Sequence, residues 1–266
     1  MLLALDIGNT HITTGVYSDN KLLCVCRLAS DKFRTEDQYA VEIRDILDIN
    51  GININNINHA VIGSVVPSLT LILKRAIKKL TNITSLDISD IENPGINIKL
   101  KDPSLIGADL LAGCVAAVNL FSLPAIVFDL GTATTICVID DNKNMLGGVI
   151  TPGPLISLEA LTSRSALLSS ISLQAPEFTI GKTNEDCMRS GLVFGTACMI
   201  DGMCDRIEKE INNKCTIIAT GGLSKDIIPH CKRNIILSDN LILEGLKILY
   251  KNSKETNLWK TFQKTL

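Results

Sequence analysis

Two stretches of the sequence decide the fold: residues 2–10 read LLALDIGNT, and residues 125–132 read AIVFDLGT. Each is an apolar run of strand length that ends in an aspartate and continues into a glycine turn with a hydroxyl residue. A further strand-like run follows each turn, over residues 12–17 and 134–140. Because the same arrangement occurs in both halves of the chain, it predicts two lobes of one topology related by internal duplication.

The segments around these motifs extend the repeat. Residues 21–28 and 144–150 give each half a third strand-like run, so each half opens with an antiparallel meander. Helices and single strands are predicted after the meanders: helices over residues 36–49, 67–80, 184–213 and 239–251, and strands over residues 59–63 and 215–219. We therefore expect an α/β protein whose two lobes, residues 1–115 and 116–266, face a central cleft.

The composition is that of a globular protein with its own core. Of the 266 residues, 46% are hydrophobic, and 26 basic residues nearly balance 28 acidic ones. The net charge of −2 provides no field for holding nucleic acid or an anionic membrane, so neither is expected as a partner. The first apolar run ends at Asp6, too early for a signal peptide, and residues 108–139 are interrupted by glycine, asparagine and proline. We expect a cytoplasmic protein.

Cysteine and histidine usage argues against a structural zinc site. The chain has nine cysteines and three histidines, and no Cys-x-x-Cys occurs. The surroundings of four cysteines are typical of buried, reduced thiols: Cys114, Cys187, Cys198 and Cys204. Cys24 and Cys26 share one face of a strand, which favours two core-facing side chains over the alternative of a redox pair.

The glycine turns indicate phosphate chemistry. Glycine lets backbone N–H groups approach phosphate oxygens closely, and an aspartate at a strand end can hold Mg²⁺ directly or through water. A third glycine turn stands at Thr220-Gly221-Gly222. Neither a Walker A sequence nor a G-x-G-x-x-G sequence is present, so the P-loop and dinucleotide-binding classes lose their main support.

At these motifs the chain resembles the superfamily of acetate kinase, sugar kinases, Hsp70 and actin, whose lobes have the ribonuclease H-like, actin-like ATPase fold. Five strings in order are similar to those of type III pantothenate kinases, a family that overlaps with Bvg accessory factors: DIGNT at 6–10, GAD at 107–109, DLGTATT at 129–135, GGVITPG at 147–153 and LEGL at 243–246. The resemblance extends from residue 2 to about residue 251.

The resemblance implies ATP-dependent phosphorylation of pantothenate to 4'-phosphopantothenate, the first step of coenzyme A biosynthesis. The implied ATP-binding residues are those of the first loop together with one threonine of the second: Asp6, Ile7, Gly8, Asn9, Thr10, His11, Ile12, Thr13 and Thr132. It further implies that Asp6 handles Mg²⁺ through the phosphates, and that Asp129 binds a monovalent cation, K⁺ or NH₄⁺.

On the acceptor side, Asp109 matches the catalytic aspartate that takes the proton of the hydroxyl group. Without the resemblance, Asp109 would be an ordinary acidic residue in the first turn of a helix. The implied substrate-binding residues are Leu100, Gly107, Ala108, Asp109, Leu110 and Asn184.

The resemblance also implies a homodimer that completes the acceptor pocket at its interface. The helix at 184–213 has more apolar residues than a one-sided helix needs, which favours an interface there; burial within one subunit is the alternative.

The sequence departs from the family pattern on the acceptor side. Leu110 stands where the family has arginine, Leu100 where tyrosine is common, Cys137 where aspartate is usual, and Asn184 where threonine is usual, with Thr183 beside it. Leucine cannot reproduce the bidentate contact of arginine with a carboxylate. Three interpretations therefore stand: a pantothenate kinase with a repacked pocket, a kinase for another small hydroxylated acceptor, and a nucleotide-binding regulatory or accessory protein.

Overall fold

A computed structural model provides the fold and describes residues 1–103, 106–165 and 168–265. The first sheet has the order β3-β2-β1-β4-β5 within this described part of the chain. Its strands are β1 (Leu2–Ile7), β2 (His11–Ser18), β3 (Lys21–Ala29), β4 (His59–Ser64) and β5 (Leu86–Asp87). The first three strands form the predicted antiparallel meander, and β4 runs parallel to β1.

The second sheet repeats this plan. Its strands are β6 (Asn97–Ile98), β7 (Ala125–Leu130), β8 (Ala133–Ile139), β9 (Asn144–Pro152), β10 (Thr216–Thr220) and β11 (Ile236–Leu237). Over the described residues their order is β11-β10-β7-β8-β9-β6, with β7, β8 and β9 antiparallel and β10 parallel to β7. Apart from the added β6, the order and directions match those of the first sheet, which confirms the predicted duplication.

Seven labelled helices accompany these strands over the described residues. They are α1 (Glu36–Ile49), α2 (Pro67–Thr81), α3 (Ala108–Leu120), α4 (Pro154–Arg164), α5 (Asn184–Ile211), α6 (Ser224–Ile227) and α7 (Leu241–Thr265). The predicted bounds of α1 are confirmed; Thr35 caps it, and its side-chain oxygen accepts from the backbone N–H of Gln38. By contrast, α4 was not predicted, and α7 continues well beyond the predicted end at residue 251. None of the helices in the described chain combines the length and the apolar content that a bilayer crossing requires.

The chain divides into two compact units. The first consists of Met1–Ile96, the start of α3 through Ala116, and the chain from Leu241 onward; the second consists of Asn97–Pro103 and Ala117–Asn240. The division falls inside α3, between Ala116 and Ala117. The expected assignment of all later residues to the second lobe differs from this grouping, because α7 belongs to the first unit.

Small residues on one face of the first sheet explain the position of α7. A Cβ atom added at Gly15 would lie 2.9 Å from Leu243 Cδ1, and one added at Gly63 would lie 2.8 Å from Leu246 Cδ2. These glycines therefore leave the space into which the leucines of α7 pack. The opposite face carries the large apolar side chains, such as Leu5, that form a core with α1 and α2.

In the second unit the core lies between the sheet and α5. Phe128 and Ile136 of the sheet pack with Val193 and Ile200 of α5. The apolar side chains of α5 that favour an interface number seven. Met188, Leu192, Val193 and Ile200 are buried within the chain, Phe194 and Met199 are partly buried against its core, and Cys198 is exposed. The alternative interpretation, burial within one subunit, accounts for most of the apolar character of α5.

The cysteines, all nine within the described residues, are free thiols. Cys114 and Cys204 are buried as expected. The expectation was wrong for Cys187 and Cys198, which are exposed because α5 turns one side away from its core. Cys24 packs against the first core, which supports the core-facing interpretation of that cysteine.

Candidate functional site

The first glycine turn, between β1 and β2, is held from two sides. The backbone N–H of Gly8 donates to the carbonyl oxygen of His11 at 3.0 Å and closes the turn. The hydroxyl of Ser30 donates to the carbonyl oxygen of Gly8 at 2.6 Å, and the N–H of Ser30 donates to the carbonyl oxygen of Thr10 at 3.0 Å. Asn9, Thr10 and His11 are exposed, so the tip of the turn is accessible to a ligand.

Asp6 and Thr13 flank this turn, and both are half-buried. Asp6 lies opposite Thr13 on β2 and opposite Gly63 on β4, so it stands between two neighbouring strands near the ends of β1 and β4. Ile7 and Ile12 are paired and fully buried in the core that includes α1 and α2. Their side chains therefore face away from any ligand, and only their backbone could contribute to nucleotide binding.

The Asp109 segment lies close to the same sheet edge within the first unit. A Cβ atom added at Gly63, the neighbour of Asp6, would lie 3.7 Å from Ala108 Cβ, and one added at Gly107 would lie 3.5 Å from Val65 Cγ1. Asp109 and Leu110 follow in the first turn of α3, and both are half-buried. The fold therefore brings the segment that carries Asp109 to the strand that adjoins Asp6.

The carboxylate of Asp109 folds back over the start of its own helix. Its Oδ1 accepts a hydrogen bond from the N–H of Leu110 at 2.7 Å, and a Cβ atom at Gly107 would lie only 2.5 Å from Oδ1. Glycine at 107 is therefore what allows this close approach. Burial raises the pKa of Asp109, and backbone hydrogen bonds oppose that rise only in part.

In the second unit, three backbone segments converge on the turn after β7. A Cβ atom at Gly153 would lie 2.4 Å from the carbonyl oxygen of Thr132, and one at Gly221 would lie 2.5 Å from Asp129 Oδ1. Gly221 has φ +94°, a conformation that side chains rarely adopt. Asp129 is half-buried at the end of β7, and Thr132 is exposed at the tip of the turn. The Thr220-Gly221-Gly222 turn singled out in the sequence thus packs directly against the Asp129 motif.

The remaining predicted residues also lie in the second unit. Leu100 is half-buried just after β6, Cys137 is buried on β8 opposite Val127, and Asn184 is exposed at the first position of α5. Thr183, beside Asn184, is the N-cap of α5, and its hydroxyl accepts from the N–H of Asp186 at 3.1 Å. The exchange of threonine and asparagine relative to the family pattern therefore leaves threonine as the helix cap.

Sequence reasoning missed two serines that hold these turns. Ser30 donates to the carbonyl oxygen of Gly8, and Ser224 donates to that of Gly221 at 2.7 Å. Each hydroxyl thus fixes the backbone of a glycine turn, one in each unit. Neither serine belongs to a sequence motif. Ser30 is distant in sequence from Gly8, whereas Ser224 follows Gly221 by three residues, and in both cases only the fold shows the contact.

Two sheets of the same strand order, each with a glycine turn after an aspartate, define the fold of the superfamily of acetate kinase, sugar kinases, Hsp70 and actin. Solved structures share this fold. A Baf family protein from Campylobacter jejuni superposes with a TM-score of 0.61 at 19% identity, covering 95% of this chain and 99% of that one. The activator of 2-hydroxyisocaproyl-CoA dehydratase from Clostridium difficile, solved with ADPNP, gives 0.56 at 12% identity over 96% of both chains.

Within this superfamily, the family can also be identified. The family model for type III pantothenate kinase matches residues 2–206. The type III pantothenate kinase of Halalkalibacterium halodurans is 38% identical over 253 residues, which cover 95% of this chain and all of that protein. The chain belongs to the type III pantothenate kinase family, whose reaction is the ATP-dependent phosphorylation of pantothenate in coenzyme A biosynthesis.

Proposed function

We propose that this chain transfers the γ-phosphoryl group of ATP to the primary hydroxyl of pantothenate, with Asp109 as the proton acceptor. The observation that carries the assignment is the half-buried Asp109 carboxylate, whose segment adjoins the strand next to Asp6. Family membership supplies the reaction, and this arrangement supplies the residue that is chemically able to accept the proton.

The chemistry requires little beyond positioning and one base. The hydroxyl oxygen forms a bond to the γ-phosphorus, the bond from that phosphorus to the bridging oxygen breaks, and ADP leaves. The hydroxyl proton passes to the Asp109 carboxylate. Because burial raises the pKa of Asp109, this carboxylate is a stronger base than an exposed aspartate.

The two glycine turns are suited to the phosphates of ATP. The exposed turn at Asn9 and Thr10, fixed by Ser30, offers backbone and hydroxyl donors, and Thr132 offers a second hydroxyl at the other turn. Asp6 supplies an oxygen ligand of the type that Mg²⁺ prefers, directly or through water. We assign Mg²⁺ to Asp6, and phosphate contacts to the residues of each turn, as the family resemblance implies.

The surroundings of Asp129 fit a monovalent cation. Asp129 Oδ1 lies against the backbone of Gly221 and near that of Gly131, so a carboxylate and peptide groups are available in one place. Carboxylate and peptide carbonyl oxygens suit a hard cation such as K⁺ better than a soft transition metal. When bound, the cation would add positive charge near the phosphates, and Asp129 would hold it.

We further propose that the chain acts as a homodimer, as its family resemblance implies, with Asn184 contributing to the acceptor pocket. The proposal does not depend on the apolar side chains of α5, since most of these are used inside the subunit. It is supported instead by α4, where Leu155, Ile156 and Leu161 are exposed.

One assay tests the proposed function. Purified protein is incubated with Mg²⁺–ATP and pantothenate, in K⁺ or in Na⁺, and ADP release is followed together with detection of phosphopantothenate by mass spectrometry. We expect stoichiometric ADP and phosphopantothenate, faster in K⁺. ATP binding without product in either salt would contradict the kinase assignment and favour a regulatory protein. Equal rates in both salts would contradict the proposal that Asp129 binds a monovalent cation.

A further inference from the structure

The segment between β3 and α1 holds the first glycine turn in place. Ser30, in this segment, contacts the turn twice: its hydroxyl donates to the carbonyl oxygen of Gly8, and its N–H donates to that of Thr10. Within the turn, the N–H of Gly8 donates to the carbonyl oxygen of His11. The position of the turn therefore depends on Ser30, which lies outside the turn in sequence.

A buried tyrosine hydroxyl fixes the backbone around Ser30. Tyr39 lies on α1 and is fully buried. Its hydroxyl accepts from the N–H of Asp31 at 2.9 Å, and it donates to the carbonyl oxygens of Asp31, at 2.9 Å, and Ala29, at 3.3 Å. Because Ala29 and Asp31 are the two neighbours of Ser30 in the chain, this one side chain holds the backbone on both sides of Ser30.

The ring of Tyr39 is packed in the core of the first unit. It belongs to the cluster of buried residues that includes Ile7 and Ile43. The guanidinium group of Arg34 lies 5.9 Å from the centre of the ring, and the same group pairs with Glu42 of α1. Side chains packed in a core keep well-defined rotamers, so the Tyr39 hydroxyl is a fixed point to which the segment is attached.

These contacts form a continuous path from the core to the glycine turn. It runs from Tyr39 through Ser30 to Gly8 and Thr10, and all of it lies within the first unit. Backbone N–H groups bind phosphate oxygens best when they already point at the ligand, because ordering them on binding costs free energy. A turn whose tip is exposed, as this one is, therefore gains affinity from contacts that order it beforehand.

We propose that Tyr39 is a positioning residue for ATP: its hydroxyl orients the first glycine turn through Ser30 and thereby sets the affinity for the nucleotide phosphates. The inference rests on the proposed function, in which this turn binds ATP. Tyr39 acts without touching the nucleotide, since its ring lies in the core and its hydroxyl is bonded to the segment. Its loss should therefore weaken ATP binding and leave the transfer step unchanged.

Two matched variants test this role. Tyr39→Phe removes the hydroxyl that holds the segment, whereas Tyr17→Phe removes an equally buried hydroxyl that donates to Glu244 on α7. Each variant loses a hydrogen bond within the first unit, so both should unfold at a lower temperature than the parent protein. The Kd of a non-hydrolysable ATP analogue with Mg²⁺ is then measured by calorimetry. We expect Tyr39→Phe to raise this Kd about five- to tenfold, the factor that one hydrogen bond gives, and Tyr17→Phe to leave it within about twofold.

Steady-state kinetics give a second measurement that a general loss of stability would not change in the same way. In Tyr39→Phe the KM for ATP should rise about five- to tenfold, while kcat and the KM for pantothenate stay within about twofold of the parent values. Ser30→Ala, which removes the bond to the carbonyl oxygen of Gly8, should also raise the KM for ATP. Ser30→Thr, which keeps a hydroxyl, should retain the parent value.

Hydrogen exchange reports on the turn without any ligand. The amides of Ser30 and Gly8 are both donors in the path from Tyr39 to the turn. They should exchange faster in Tyr39→Phe than in the parent protein, because the hydrogen bonds that protect them open more often. In Tyr17→Phe their exchange should be unchanged.

The outcomes separate this inference from the proposed function. Failure of the parent protein to phosphorylate pantothenate overturns the proposed function, and the Kd of the analogue then still decides the role of Tyr39. An unchanged Kd in Tyr39→Phe overturns the inference and leaves the proposed function standing. Equal rises in Kd in the two tyrosine variants also overturn the inference, because the effect would then reflect stability alone. A parent protein that does not bind the analogue overturns both.

Discussion

At the scale of single residues, Asp109 combines two opposing influences. Burial penalises its charged form and raises its pKa, while the N–H of Leu110 donates to Oδ1 and stabilises that same charged form. The net effect is a carboxylate that is more basic than an exposed aspartate. This balance suits a general base, which must be deprotonated before it can accept a proton.

Asp109→Asn should therefore keep the fold and ATP binding but lower kcat about 10²–10⁴-fold, because asparagine is nearly isosteric and cannot take the proton. In the parent protein kcat/KM should fall as the pH drops through the raised pKa of Asp109, above the ordinary value of about 3.9. Steady-state rates between pH 4 and 8 and calorimetric ATP binding check both expectations.

Asp6→Asn is the control for that experiment. Because Asp6 lies at the glycine turn, its loss should weaken Mg²⁺–ATP binding rather than the transfer step alone. Near-normal turnover in Asp109→Asn, or identical behaviour of the two variants, would remove Asp109 from its assigned role.

Glu208 is a second carboxylate whose environment changes its ionisation. Its buried carboxylate accepts from Lys214 Nζ at 2.7 Å, from Arg233 Nη2 at 2.5 Å and from the N–H of Cys215 at 3.1 Å. Burial alone would raise its pKa, but these donors outweigh burial and lower the pKa to about 2. The carboxylate thereby joins the last turns of α5 to the start of β10 and to Arg233, which follows α6.

This network should make the free energy of unfolding depend on pH. The folded pKa of Glu208 lies below its unfolded value of about 4.3, so its contribution is present above that value and is lost as the pH falls towards 2. Glu208→Gln should lower the free energy of unfolding by about 1–3 kcal/mol at pH 7, and the difference from the parent should shrink below pH 4. Urea unfolding at pH 7 and pH 3.5 measures it. Asp37→Asn removes an exposed ion pair with Lys79 and should leave the urea midpoint unchanged at both pH values. An effect of Glu208→Gln that is the same at both pH values would contradict the role assigned to the charge of Glu208.

At the scale of elements, α7 is fixed to the first unit by both apolar and polar contacts. The hydroxyl of Tyr17 on β2 donates to Glu244 Oε1 at 3.1 Å, and Lys247 pairs with the same carboxylate while its Nζ lies 4.8 Å from the centre of the Tyr17 ring. One turn of α7 thus binds β2 through three side chains. Between them, Gly245 allows α7 to approach α3, since a Cβ atom there would lie 1.9 Å from the carbonyl oxygen of Ala112.

Two glycine substitutions on α7 and α3 should therefore have opposite effects. Gly245→Ala forces the two helices apart and should destabilise the protein by about 1–3 kcal/mol or more, the usual cost of overpacking. Gly113→Ala, on α3, places a methyl group where nothing lies within 4 Å and should be neutral or stabilising by up to about 1 kcal/mol. The unfolding temperatures of the two variants, compared with that of the parent protein, test both expectations. Equal effects would mean that the approach of α7 and α3 is not limited by Gly245.

At the scale of the whole molecule, the sequence predicted the elements that are determined by local sequence patterns. The two Asp-Gly motifs, the meanders and the strands β4 and β10 could be predicted because alternation and glycine turns are local signals. The allocation of α7 could not, since it depends on Gly15 and Gly63, which become small holes only after the sheet has formed. The interface expected at α5 stays a prediction, because apolar content alone does not say which chain covers a helix, and most of these side chains are covered within this one.

The residues of the candidate site also differ in whether local sequence patterns predict them. Asp6, Asp129 and the glycine turns are motif residues and were predictable. Ser30 and Ser224 were not, because their contacts to glycine carbonyl oxygens come from the packing of the segments that follow β3 and β10. Family resemblance suggests Asp109 as the proton acceptor, and the fold adds that burial raises its pKa.

The assembly of the molecule is argued from α4 rather than from α5. Leu155 and Ile156 lie on α4 with 51% and 38% of their surfaces exposed, close to the start of a helix that has no charged residue in its first turn. A stable dimer buries about 1,200–2,000 Å² around an apolar centre, and exposed apolar side chains of this kind fit such a centre. We expect a dimer in sedimentation velocity at micromolar concentration.

Leu155→Glu should weaken dimerisation at least about tenfold, because burying a charged side chain at an apolar interface costs free energy. Phe33→Glu, at a 98% exposed position in the first unit, should leave the dimer intact. A parent protein that sediments as a monomer would contradict the proposed assembly, and a dimer that tolerates Leu155→Glu would move its interface away from α4.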